Sequence, residues 1–470
     1  MSENQNMNTK NYEGRWLHVY KLWQAAISNE TLPQMDRWLA QEFSKNSKYG
    51  SRDRRWYSEC LFSGIRYAYF ALFCEDYFKI SQKMNTENKK EINFKNFVLH
   101  FKNKYLSEKD ILQALRKINE EKFFTWIRLR YLASNIKLQE NISFETQENE
   151  FLIEKKVFHE IENLLKQNNI LTSQMILQSV PLWFLDQIEK RITLSSWNSE
   201  QQNSFFNLLE TRPPMWLRLN DEKYKTNVLN ELIKEGYHVE VHNSSTLKVI
   251  EGKGGIFALN SFRAGLFEIQ DLASQQIGEH VEAKFNQFVW DTCAGGGGKT
   301  QQIASFLKNK GVIYASDIRE YKLEEVKKRA KKSGFFNIRC LPWNGEGLPH
   351  FQKEVENKNG FDWVLVDAPC SSSGTWRRNP DSKYRITKEN LLGLTDLQLN
   401  ILQTASEAVR VGGHLVYSTC SWIYDENENI IESFIKNNPN FKLIKHSMLG
   451  APFENSDTMF VSVIQRITTD

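Results

Sequence analysis

Cysteine, proline and charge of one sign are all scarce in this 470-residue chain, and no long apolar run occurs. The six cysteines, at 60, 74, 293, 340, 370 and 420, form no C-x-x-C pair and no tight cluster with histidine. That argues against a metal site such as zinc and against a disulfide framework, and it fits a reducing cytoplasm. Between Tyr12 and Ile170 proline occurs once, at Pro33, so little there interrupts a helix. The formal charge is only +4, so any nucleic-acid footprint must be local rather than global. Without a run of about 18 apolar residues no membrane partner is expected. Met1–Lys10 is polar, carries no apolar signal-peptide core, and is expected to be disordered. What remains is ample for packed cores: 40% hydrophobic and 13% aromatic residues, in a length that calls for two or three domains.

Three compositional zones follow. Residues 11–172 place apolar side chains three and four apart, as in Trp16, Tyr20, Trp23 and Leu61, Ile65, Ala68, Leu72, which predicts an all-helical domain with a polar loop over 81–95. Residues 173–260 mix a strand-like run after Pro213-Pro214, a helix near 227–235 and short strands near 239–241 and 247–250, a small α/β module. Residues 261–470 alternate strands and helices. Leu266–Ile269 reads as a first strand, with Asp271 as the cap of the next helix. Apolar strands are then expected at 288–290, 312–315, 338–341, 363–366, 414–418, 441–444 and 459–464. That alternation predicts an α/β fold, a doubly wound parallel sheet, closing on an antiparallel edge hairpin.

Two cysteines stand just past buried strands. Cys370 lies in Asp367-Ala368-Pro369-Cys370 and Cys420 in Tyr417-Ser418-Thr419-Cys420. Most free cysteines are small buried apolar residues. Here the carboxyl edge of an open sheet, where ligands bind, and the flexible Ser371-Ser372-Ser373-Gly374 beyond Cys370 favour thiolate chemistry instead. A second motif, Asp291-Thr292-Cys293-Ala294-Gly295-Gly296-Gly297-Gly298-Lys299-Thr300, joins the first sheet strand to a helix. As a phosphate loop it misfits, because the required first glycine falls at Cys293. As a nucleoside site it has the needed acid, Asp317, about twenty residues on at the end of the second strand. Asn344 and Asp367 stand at the next two strand ends.

With these residues assembled, the chain resembles the Sun family of RNA (cytosine-C5) methyltransferases, and within it the RsmB-like bacterial ribosomal RNA branch. The family motifs D-x-C-A-x-P-G-G-K-T, D-A-P-C-S-x-x-G and Y-S/A-T-C-S stand here as Asp291–Thr300, Asp367–Gly374 and Tyr417–Ser421. Gln270–Ser274 and Arg212–Asn220 match the segments that precede such a catalytic domain, so the likeness covers about 180–470. Gly50–Arg55 is more weakly similar to a NusB-like N-terminal domain. Gly296 replaces the family's usual proline, and Asn344 its usual aspartate.

The resemblance implies a Rossmann-like methyltransferase sheet, S-adenosyl-L-methionine as cofactor, and RNA, ribosomal RNA in first place, as partner of a monomer. It assigns Cys293, Ala294, Gly295, Gly296, Gly297, Gly298, Lys299, Asp317, Asn344 and Asp367 to the cofactor. It makes Cys420 the thiolate that attacks C6 of cytosine and Cys370 the residue that assists release. Asp367 would steady the base and Lys299 would lower a thiol pKa. Trp376, Arg377, Arg378 and Lys383, beside the Cys370 loop, would contact RNA, as would the small module. Transfer RNA is the alternative substrate, and a non-catalytic RNA-binding assembly factor the alternative class. A DNA cytosine methyltransferase would use Cys370 followed by glutamine, and Ser371 occupies that place.

Overall fold

The computed structural model describes residues 2–46, 48–86, 92–133, 148–168, 170–252 and 255–468. The chain divides into two compact units. One runs to Glu189 and also takes in Arg378–Thr387; the other comprises Lys190–Arg377 and Lys388–Asp470.

The first unit is helical, with helices at Ser2–Ile27, Met35–Lys45, Ser51–Arg66, Ala68–Thr86, Phe94–Lys104, Glu108–Lys117, Glu120–Ala133, Glu148–Gln167 and Ile170–Leu177. The periodic residues Trp23, Leu61, Ile65, Ala68 and Leu72 are buried, as their spacing requires, whereas Trp16 and Tyr20 are half-buried. Ser107 and Asp110 form a capping box at the start of Glu108–Lys117, satisfying helix N–H groups reciprocally. Two expectations are corrected. Residues 2–10 continue the first helix rather than being disordered, and the expected loop over 81–95 is helix as far as Thr86; residues 87–91 lie outside the described residues.

The helical boundary also lies beyond 172. Phe70 N–H donates to Ser179 Oγ (2.8 Å), and Leu182 N–H to Tyr69 OH (3.3 Å), so this stretch is bonded into the helical unit. Arg378–Thr387 is held there too. Lys383 Nζ donates to the carbonyls of Arg66 (2.9 Å) and Gln178 (3.3 Å), and Tyr69 N–H donates to Tyr384 OH. Lys383 and Tyr384 are buried, which corrects the expectation that Lys383 contacts RNA: its donors are spent on backbone carbonyls.

In the second unit β1 (Met215–Leu219), β2 (His238–Val241), β3 (Thr246–Glu251) and β4 (Phe267–Ile269) form a small sheet in the order β2-β3-β1-β4. β4 pairs antiparallel with β1, Leu217 opposite Ile269, so the small module extends past 260. Asp271 caps the next helix by accepting from Ala273 N–H (3.0 Å).

The main sheet contains β5 (Phe288–Asp291), β6 (Val312–Asp317), β7 (Ile338–Pro342), β8 (Phe361–Asp367), β9 (Val409–Thr419), β10 (Phe441–Gly450) and β11 (Thr458–Arg466), in the order β10-β11-β9-β8-β5-β6-β7. β5 to β9 are mutually parallel. The expected hairpin exists, but β11 lies inside the sheet between β9 and β10, so of the two hairpin strands β10 alone is an edge, opposite the β7 edge. Successive residues of a strand face opposite sides. Trp290, Val364, Val366, Leu415 and Tyr417 enter one core with the helices Lys388–Ser406 and Glu428–Asn437. Val289, Ile313, Leu365 and Val416 enter the other with Leu272–His280 and Gly298–Leu307. Two covered faces explain why these strands read as unbroken apolar runs.

Burial, then the nearby Arg66 charge, pushes the Lys383 ammonium well below its ordinary pKa. The unfolded chain therefore binds more protons between the folded value and the ordinary one of about 10.4, and stability rises with pH across that window. Wild-type protein should gain more melting temperature between pH 7 and pH 9 than Lys383→Met. Parallel curves would show that this lysine is not held uncharged.

Candidate active site

The chain builds β5, β6 and β7 outward on one side of the sheet, then places β8 on the other side of β5. This switch opens a crevice past the carboxyl ends of β5 and β8, the usual ligand position in such sheets. Asp291 ends β5, Asp317 ends β6 and Asp367 ends β8; Cys420 directly follows β9. Asp367 is in register with Ser418 on the neighbouring strand, so the Cys370 and Cys420 loops leave the sheet side by side.

The two sulfurs lie 3.2 Å apart, within hydrogen-bond reach. Cys420 Sγ is also 3.5 Å from Ser372 Oγ. Lys299 Nζ donates to Asp367 Oδ2 (2.7 Å), and Ser418 Oγ donates to Asp367 Oδ1 (2.9 Å). The four residues expected to carry chemistry are thus in one place. The hydrogen bond from Cys370 holds Cys420 below its ordinary pKa against the opposing effect of burial, with help from Ser372 and the charge of Lys299. The same bond and burial drive Cys370 well above its ordinary value. The pair is therefore unequal: Cys420 ionises first and Cys370 stays a thiol. Burial alone would lower the Lys299 pKa, but the Asp367 carboxylate outweighs it and keeps the ammonium charged.

The glycine-rich turn wraps the end of β5. Ala294 N–H donates to Ser316 O (2.7 Å), and Gly295 N–H to Asp317 Oδ2 (2.9 Å). Gly295 (φ 53°) and Gly297 (φ 80°) adopt the left-handed conformation that favours glycine, and Gly297 caps the helix Gly298–Leu307. The helix N-terminus is thereby turned toward the strand ends, a setting that favours negative groups. Asp291 is buried, accepts from Thr300 Oγ1 (2.6 Å) and has no partner on Oδ1 among the described residues; burial raises its pKa to about 7. Burial likewise lifts the Cys293 thiol to about 12, so it is no thiolate.

Asp317 accepts from Arg319 through both backbone and guanidinium, and these bonds outweigh burial to keep it ionised. Asn344 is exposed and bonds within its own turn, accepting from Glu346 N–H (3.0 Å). Gly296 is not left-handed. A Cβ there would meet only the flexible ends of Glu325 (3.3 Å) and Arg329 (3.4 Å), so the family's proline position is sterically permissive.

Two further RNA expectations are corrected. Trp376 is buried edge-on against Trp422, ring centroids 5.3 Å apart. Arg377 is buried and spends its donors on Thr211 O, Thr211 Oγ1, Ser456 O (2.8 Å) and Asn455 Oδ1 (2.6 Å). Arg378 is half-buried. Arg377 thus fastens the loop rather than facing outward. Conversely, sequence reading passed over Ser372, Ser418 and Glu426. The two serines sit inside the recognised motifs, but Glu426 lies in an acidic run that reads as solvated surface.

Gly374 closes the Cys370 loop by donating its N–H to Cys420 O (2.9 Å). A Cβ there would lie 1.7 Å from Thr458 O and 3.0 Å from Cys420 O, both backbone atoms. Gly374→Ala should lower unfolding free energy by about 1–3 kcal/mol, the range for overpacking. Gly296→Ala should be neutral or slightly stabilising, within about 1 kcal/mol. Urea denaturation of both variants checks the contrast, and equal effects would contradict it.

Residues 280–463 match the family model for 16S rRNA methyltransferase RsmB/F. The probable ribosomal RNA small subunit methyltransferase B of Bacillus subtilis is 34% identical over 231 residues, 49% of this chain and 51% of that protein. The ribosomal RNA small subunit methyltransferase B of Photorhabdus laumondii is 33% identical over 266 residues, 56% of this chain and 59% of its own. The matched part of this chain thus spans about half to three fifths of the length of these relatives. Among solved structures, PH0851 covers 86% of this chain and 98% of its own at 22% identity, with a TM-score of 0.58. NSun6 from Pyrococcus horikoshii, solved with SFG, covers 60% of this chain and 98% of its own at 19% identity, with a TM-score of 0.51. These two establish the fold. Residues 280–463, with the motifs they enclose, are thus similar to the RsmB/F 16S rRNA methyltransferases.

Proposed function

We propose that this chain is an S-adenosylmethionine-dependent RNA cytosine-C5 methyltransferase acting on 16S ribosomal RNA. The observation that carries the reading is the pair of cysteine sulfurs 3.2 Å apart at the carboxyl edge of the sheet. Neither proton-transfer nor phosphoryl chemistry calls for two thiols, whereas covalent activation of a pyrimidine needs one to attack C6, and a second beside it can assist release.

The glycine turn fits the cofactor. Gly295 and Gly297 allow close backbone approach, and the buried Asp291 Oδ1 lacks a partner. Asp317, at the end of the next strand, is ionised and placed as a ribose acceptor would be. S-adenosylmethionine, when bound, supplies an electrophilic methyl group. This chain's residues prepare the base. The target cytosine must leave its stack to reach the thiols. Cys420 Sγ forms a bond to C6, which breaks the ring's aromaticity and leaves C5 electron-rich. Asp367, held by Lys299 and Ser418, presents a carboxylate toward the polar edge of the base. With the cofactor bound, C5 would take its methyl group, S-adenosylhomocysteine leaving, and would then give its proton to water. The Sγ–C6 bond breaks and the ring is restored. Cys370 remains a thiol at rest, so it does not compete for C6. As a thiol it stays within hydrogen-bond reach of the Cys420 sulfur and so assists the departure of that sulfur from C6.

The thiols should therefore fail differently. Cys420→Ala should abolish both methylation and adduct formation. Cys370→Ala should accumulate a denaturation-resistant protein–RNA band, and it should need higher pH to do so, because Cys420 loses its strongest hydrogen bond. An adduct that survives Cys420→Ala but not Cys370→Ala would overturn the assignment.

Asp317→Ala should weaken S-adenosylmethionine binding about tenfold to a hundredfold, as expected for lost hydrogen bonds to a charged group. Calorimetry on the full-length protein checks this, and unchanged affinity would remove the ribose role.

A further inference from the structure

We propose that Glu426 is a positioning residue that sets the distance between the two active-site sulfurs. Its geometric part stands alone, and its catalytic consequence rests on the function proposed above. Glu426 is fully buried, and its carboxylate is the meeting point of both cysteine loops. Oε1 accepts from Ser371 N–H (2.7 Å) and Gln398 Nε2 (3.1 Å). Oε2 accepts from Ser371 Oγ (2.5 Å) and Ser421 Oγ (2.5 Å). Ser371 directly follows Cys370, and Ser421 directly follows Cys420. Gln398 also donates to Pro369 O (2.9 Å), on the other side of Cys370. A single side chain is thereby bonded next to each sulfur-bearing residue.

The surrounding bonds make the clasp rigid. Tyr417 OH donates to Glu426 O (2.6 Å), Thr419 Oγ1 to Asn427 Oδ1 (2.5 Å), and Asn427 Nδ2 to Ser421 O (2.8 Å). Arg191 forms a buried two-point ion pair with Glu428 (2.6 and 2.7 Å) and donates to Trp422 O. Such a constraint is needed because Ser372, between the clasp and the Cys420 sulfur, is held left-handed at φ 58°. A non-glycine residue in that conformation is strained and persists only where its surroundings over-determine it. Without the carboxylate, the Ser371–Ser372 turn is free to relax and carry Cys370 away from Cys420. Stability alone would not require this arrangement, since a buried carboxylate is expensive to desolvate and an apolar side chain would fill the space at lower cost.

The sulfurs provide their own ruler. Diamide, a two-electron thiol oxidant, converts two neighbouring thiols to a disulfide; its N=N bond takes up the two electrons and two protons and becomes a hydrazide. In the full-length protein, Cys370–Cys420 disulfide formation would be timed by peptide mapping for wild type, Glu426→Ala and Glu426→Gln, beside kcat and KM for methylation. Glu426→Ala should form that disulfide at least tenfold more slowly and lose at least tenfold in kcat, with KM changing less than twofold. Glu426→Gln, which keeps acceptor oxygen and shape, should recover part of both. If Glu426→Ala does not melt cooperatively, Glu426→Gln carries the test with an intermediate disulfide rate. Wild-type disulfide rates in the folded variants would overturn the proposal, as would losses in rate that merely follow the unfolded fraction. If wild-type protein shows no cytosine methylation, the functional reading fails, while the disulfide rates still decide the positioning role.

Discussion

Parallel pairing of β8 with β9, in the register that sets Asp367 beside Ser418, is the constraint on which the rest of the site depends. Side chains alternate along a strand, so a slip of one residue would turn Ser418 away from Asp367 and move the two cysteine loops to different heights. The register is protected by burial on both sheet faces. Val364, Val366, Leu415 and Tyr417 enter one core, Leu365 and Val416 the other, and no polar face is available to absorb an error. β11 on the far side of β9 removes what would otherwise be an edge strand beside the site.

On this frame, electrostatics gives two chemically identical side chains different properties. Cys370 and Cys420 are both half-buried among polar groups, and desolvation alone would raise both. Their mutual hydrogen bond breaks the symmetry, because one sulfur donates and the other accepts. Ser372 and Lys299 lie on the accepting side, and Asp367 prevents the lysine from losing its proton. The polar groups that do this are themselves satisfied by neighbours, as buried polar groups must be. Glu426 is the densest example, with donors from two loops and a helix on one carboxylate.

The same rule explains the misread cations. Arg377 and Lys383 lie just beyond a reactive loop, where positive charge suggests phosphate. In the fold their long side chains cross the interior and end on carbonyl oxygens: Thr211 and Ser456 for Arg377, Arg66 and Gln178 for Lys383. A cation that terminates buried backbone and a cation that binds RNA have the same local sequence. Only the identity of the oxygens within reach distinguishes them. Trp376 is similar: an aromatic suited to stacking on a base is instead packed against Trp422.

The order of strands and helices, the glycine turn and the thiols past β8 and β9 were legible in the sequence, because each is a local pattern. Apolar runs mark doubly buried strands, glycines mark left-handed turns, and acids at strand ends mark a crevice. The family motifs span only a few residues each and need no partner to be recognised. The sequence alone set the helical boundary at 172 and grouped the short strand Leu266–Ile269 with residues 261–470, since which strand a three-residue segment joins depends on where β1 lies. It could not show that Glu426 is buried. A glutamate between Asp425 and Asn427 looks solvated until residues 371 and 398, from distant parts of the chain, converge on it beside its near neighbour Ser421. Those separations are long, and only tertiary packing brings the donors to one oxygen pair.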